Sequence, residues 1–67
     1  MSQNEAIAAY LATGAELTPL EALQRFNCLR LAARIHNLRA EGVPIVERIV
    51  YEGRKHWAAY RLGVPHG

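Results

Sequence analysis

The sequence predicts a mainly α-helical α+β domain, with three helices followed by a C-terminal two-stranded β-hairpin. Three observations lead there. Apolar residues recur at helical spacing through three segments before Gly42, and the first two follow residues suited to capping a helix. Gly42 and Pro44 then interrupt the helical pattern. Beyond them, the β-branched run "IVERIVY" and the aromatic-rich run "HWAAYRL" flank the turn-forming "EGRK".

The first helix is expected over 3–12, where Ile7, Tyr10 and Leu11 form one apolar stripe. Ser2 or Asn4 can cap its start, and Gly14 is a natural stop. The second is expected over 18–26. The Thr18 hydroxyl can accept from an early amide, Pro19 fits the first turn, and Glu21 can reach back to the cap. Leu20, Leu23 and Phe26 are expected to face inward. This helix is short because the chain turns at Phe26-Asn27, and asparagine tolerates the left-handed conformation such a corner needs.

The third helix is expected over 28–41. Cys28, Leu31, Ala32, Ile35 and Leu38 share one face, while Arg30, Ala33, Arg34 and Asn37 lie away from it. Gly42 suits the position just past its end. The hairpin is expected over about 45–62, with Gly53 able to take positive φ at the turn and Tyr51, Trp57, Tyr60 and Leu62 turned to the core. Ile45, Val46, Ile49 and Val50 would also stripe a helix, so the β reading rests on composition and on the turn. The tail "GVPHG" is expected to fray.

We read residues 1–67 as a single domain. Its apolar content of 51% and charged content of 21% are those of a globular chain rather than a disordered one. The lone Cys28 cannot form an internal disulfide, no apolar run approaches a membrane span, and the N-terminus lacks the basic-then-apolar order of a secretory signal. A cytoplasmic setting is the resulting expectation. Catalytic signals are sparse: there is no Gly-rich phosphate loop, no nucleophile elbow and no Asp. His36, His56, His66 and Cys28 lack metal-ligand spacing. Neither enzyme activity nor a metal or other cofactor is expected.

Charge is more informative. The net value is only +2, yet residues 1–24 carry −3 and residues 25–67 carry +5. Such asymmetry points to a polyanionic partner. A short capped helix, a tight corner and a second helix with a basic outer face describe a helix-turn-helix, whose second helix enters the major groove of double-stranded DNA. Arg30 and Arg34 suit guanine, Asn37 suits adenine, and Ala33 lets the backbone approach or touches a thymine methyl. The hairpin then serves as a wing, with Arg54, Lys55 and His56 at its tip on phosphates. Thr18, Arg25, Arg48 and Arg61 are further phosphate candidates. Each has a structural competitor: hairpin tips are commonly polar, and Arg39 can pair with Glu41 or cover apolar surface with its stem.

The stretch from Leu17 to Ile45 also resembles a family of short helix-turn-helix domains of phage and prophage proteins. The shared residues are Thr18, Glu21, Ala22 and Leu23, the corner Phe26-Asn27, and the block Arg30-Leu31-Ala32-Ala33-Arg34-Ile35. Leu38-Arg39, Gly42, Ile45 and the hairpin end Tyr60-Arg61-Leu62 continue the match, and Asn27 stands where glycine is usual. The resemblance implies a winged helix-turn-helix that binds DNA, as a small regulator of phage or mobile-element genes. A single domain this small is rarely selective alone, so a homodimer or a cooperative array is expected, with the Tyr10 region or the tail supplying the contact. The alternative is an interaction protein that uses the same basic face to bind and inhibit a host protein.

Overall fold

Side chains that occupy the free amides of the first turn set where the first two helices begin. The computed structural model describes residues 2–63, in the order α1 (Gln3–Leu11), α2 (Pro19–Phe26), α3 (Leu31–Ala40), β1 (Ile45–Glu52) and β2 (Lys55–Leu62). Before α1, the Ser2 hydroxyl accepts from the Glu5 N–H at 3.1 Å, and the Glu5 carboxylate accepts from the Ser2 N–H at 3.2 Å. Before α2, the Thr18 hydroxyl accepts from the Glu21 N–H and donates to the Glu21 carboxylate, both at 3.2 Å. The chain leaves α1 through Gly14 at φ +89°.

The corner after α2 turns on Asn27, the single non-glycine residue with positive φ among those described, at +53°. That conformation sends the Asn27 N–H to the Leu23 carbonyl and the Cys28 N–H to the Ala22 carbonyl, at 3.0 and 3.1 Å. The Gln3 side chain donates to the Phe26 carbonyl at 3.1 Å, so α1 satisfies an end group of α2 and pins the corner. Cys28 is buried, as expected, but it precedes the helix: α3 begins at Leu31 rather than at residue 28. The backbone of Arg30, at φ −127° and ψ 64°, lies outside the helical region and sets the later start.

The two strands pair antiparallel without a bulge from Ile45↔Leu62 to Glu52↔Lys55. Gly53 takes φ +61° at the first position of the two-residue turn, the geometry that matches strand twist. Leu17 adds a third, one-residue rung on the outer edge of β2, exchanging backbone bonds of 2.7 and 2.8 Å with Tyr60.

The core gathers Ile7 and Leu11 of α1, Leu17, Ala22 of α2, Cys28, Leu31, Ile35 and Leu38 of α3, and Ile45 and Tyr60 of the hairpin. Burial of the Tyr60 phenol raises its pKa above the ordinary 10.0 by disfavouring the phenolate. Several sequence expectations are corrected here. Leu20 and Leu23 face outward, 63% and 39% exposed, and the inward positions of α2 are Ala22 and half-buried Phe26. Leu17, immediately before the cap, takes the core position those leucines were expected to fill, paired in phase with Ala22. Tyr51 is 76% exposed because β1 has by then run past the helices, and it lies against His56 instead. Tyr10 is half-buried, edge-on to Phe26 with ring centroids 5.7 Å apart. The tail from residue 64 onward lies outside the described residues.

Candidate nucleic-acid interface

The start of α3 differs from the other two helix starts. It has no side-chain cap and no acidic residue in its first turn, and its N-cap is Arg30 at φ −127° and ψ 64°. The Arg30 carbonyl accepts from the Ala33 and Arg34 N–H groups at 3.1 and 3.2 Å, leaving the amides before them at the open end of the helix. The positive end of the helix dipole and an exposed guanidinium therefore coincide. An anion fits that combination, whereas α1 and α2 each carry a glutamate there.

Along α3, Leu31, Ile35 and Leu38 are buried. Ala33, Arg34 and Asn37 are half-buried, while Ala32, His36, Arg39 and Ala40 are exposed. Ala32 was expected in the core stripe and lies outside it. The open face is therefore turned towards His36, which the sequence reading had not selected. Ala32 and Ala40 stand one turn to either side of His36, so the backbone around it can approach a surface closely. Leu29, on the corner beside Arg30, is 83% exposed. Counting Cys28 and Ala32 as core residues had rotated the inferred outer face away from His36. The phase of Leu31, Ile35 and Leu38 alone would have found it.

In the wing, Arg54 occupies the turn beside Gly53, and Lys55 and His56 open β2, all exposed. Lys55 stands in register with Glu52, and the His56 ring lies 6.0 Å from that of Tyr51. Arg25 sits with its guanidinium 5.0 Å from the centre of the Tyr10 ring and 4.0 Å from Glu21, and remains half exposed. The Thr18 hydroxyl is engaged at the start of α2 through its two bonds with Glu21.

The ion pairs divide the basic residues into two groups. Arg39 donates to the Ile45 carbonyl through Nε and Nη2, at 3.2 and 3.0 Å, and Nη2 reaches Glu47 at 3.2 Å; its partner is thus Glu47, not Glu41. Arg48 forms a two-pronged pair with Glu16, at 2.7 and 2.8 Å, tying the strand to the segment before α2. That bond holds the Glu16 carboxyl below its ordinary 4.5 and raises the Arg48 guanidinium above its ordinary value. With Arg25 on Glu21, three of the eight Lys and Arg side chains are paired. The other five, Arg30, Arg34, Arg54, Lys55 and Arg61, have no ion-pair partner among the described residues. They belong to the start of α3 and to the wing.

Among the described residues no cluster of His, Cys, Asp or Glu could hold a metal ion, and no helix is long and apolar enough to cross a membrane. No curated protein and no solved structure matches the chain. The sequence model of one family does match it, over residues 2–65, and that family is described as a winged helix-turn-helix domain. Its description agrees with the three helices, the left-handed corner and the antiparallel hairpin. The chain therefore belongs to the winged helix-turn-helix domain family, and that membership supports DNA binding.

Proposed function

We propose that this domain binds double-stranded DNA sequence-specifically, with α3 in the major groove and the hairpin wing on the adjacent backbone. The observation that carries the reading is the separation of charge. Arg39 and Arg48 brace the fold through ion pairs between elements, and the five cations without an ion-pair partner lie at the uncapped start of α3 and on the hairpin. A surface used only for solubility gains nothing from a helix start that lacks both cap and acid.

In this reading Arg30, Ala33, Arg34 and Asn37 contact base edges, joined by the open His36. Arg54 and Lys55 anchor the wing to phosphate, and Arg25, His56 and the Thr18 end of α2 are flanking backbone contacts. The biological role we propose is that of a small transcriptional regulator of phage or mobile-element genes, acting in the cytoplasm without a cofactor. A domain this small is more selective when two copies occupy adjacent half-sites.

Selection from random duplex DNA tests this directly. Enrichment of one motif is the expected outcome, and a two-fold symmetric motif would report a paired arrangement. Recovery of unenriched sequence at every round, with no retention on duplex DNA at low salt, would reject the reading. A protein partner for the same basic face would then be the better account.

A further inference from the structure

β1 is a strand with a partner on one side. Antiparallel pairs alternate between residues that exchange backbone bonds and residues that turn those groups outward. The Gly63 N–H donates to the Pro44 carbonyl at 2.8 Å, so the even-numbered residues of β1 bond to β2. Ile45, Glu47, Ile49 and Tyr51 turn their N–H and C=O groups away from it. Two further contacts agree. Tyr60, the register partner of Glu47, spends its backbone groups on Leu17, away from β1. Arg39 reaches the Ile45 carbonyl from outside the hairpin.

Arg39 therefore closes the edge at Ile45, and the turn at Gly53 closes the other end. Between them the outward backbone groups of Glu47, Ile49 and Tyr51 have no partner among the described residues. β1 contains no proline, no lysine and no bulge, so the protection of its edge rests on the charges of Glu47, Arg48 and Glu52. Ile49 is 44% exposed at the middle of this segment, between Glu47 and the open Tyr51.

We propose that this edge pairs with the same edge of a second copy, antiparallel about a two-fold axis at Ile49. In that register Ile49 exchanges two backbone bonds with the second copy's Ile49, and Glu47 and Tyr51 pair reciprocally. Every outward group of the free segment is then used. The Tyr51 phenol lies opposite a Glu47 carboxylate, to which it can donate, and the two Ile49 side chains meet between these pairs. A one-residue shift to Arg48 sets two guanidinium groups face to face. A shift to Val50 puts Glu47 opposite the turn glycine and loses bonds. Arg54 and Lys55 lie beyond the paired segment.

A strip this short falls below the roughly 1,200 Å² of stable interfaces, so association is weak and concentration-dependent. The proposal does not rest on DNA binding, and its tests are made without DNA. In an Ile49→Cys variant the two thiols face each other across about 5.5 Å of Cα separation, within disulfide range. Oxidised glutathione should link that variant into a covalent dimer at least tenfold faster than Tyr51→Cys, whose symmetry mates are four residues apart along the strands. Cys28 is buried and does not compete.

Ile49→Pro removes only an outward N–H and keeps the bonds to β2, so it should abolish concentration-dependent sedimentation while leaving circular dichroism unchanged. If that variant does not fold, Ile49→Lys serves the same purpose. Equal linking rates for the two cysteine variants, a wild-type monomer at millimolar concentration, or association that survives both Ile49 variants would overturn the proposal.

Discussion

Asn27 shows how one backbone angle holds the corner. At φ +53° it sits where glycine is free and asparagine is tolerated. Asn27→Gly should change stability by within about 0.5 kcal/mol. Asn27→Val should cost about 1–3 kcal/mol, because a β-branched side chain resists that region. Urea denaturation of the two variants measures the difference. A second residue-scale contact, Glu16 with Arg48, makes stability depend on acid. The folded carboxyl titrates below its ordinary 4.5, so its contribution is complete above that pH and is lost as pH falls through the lower folded value. Glu16→Gln should flatten the acid limb of a stability profile below about pH 4.5 and leave the alkaline limb unchanged. An unchanged acid limb would mean that the pair contributes nothing to folding.

At the scale of elements, capping was legible and helix phase was less so. Ser2, Thr18, Pro19 and Glu21 mark their helix starts because those residue types do local work that needs no tertiary partner. Gly53 and the β-branched run marked the hairpin for the same reason. The inward face of α2 was not legible. Leucines at 20 and 23 attract a core assignment, yet the buried pair is Leu17 and Ala22, because Leu17 is fixed by its backbone bonds to a strand far along the chain. The start of α3 was misread because Cys28 is buried without being helical. The same assignment turns the inferred outer face away from the exposed His36. The positions of α2 make a stability test. Leu17→Ala should cost about 2–5 kcal/mol. Leu20→Gln, at an open position, should cost less than about 0.5 kcal/mol. Equal losses in thermal denaturation would contradict the packing described.

For the whole molecule, a net charge of +2 conceals a division of labour. Arg39 and Arg48 join the hairpin to the helical part through Glu47, the Ile45 carbonyl and Glu16. The cations left over lie on α3 and the hairpin, Arg34 half-buried and the others exposed. The two parts of that surface should behave differently on substitution. Arg30→Ala and Arg34→Ala should relax preference at particular base pairs by about 1–3 kcal/mol each, whereas Lys55→Ala should weaken all sequences alike. Competition binding against a panel of single-base variants separates the two outcomes. Uniform weakening by all three would remove α3 from the reading role.

The most direct measurement of the central claim is the salt dependence of duplex DNA affinity. Each neutralised phosphate adds about −0.9 to the slope of log K against log salt concentration, so the phosphate contacts proposed for Arg25, Arg54 and Lys55 predict a slope near −2.7. A linear plot with that slope, followed by fluorescence anisotropy on a labelled duplex, is the predicted result. Affinity that does not change with salt, or no binding at low salt, would contradict the account.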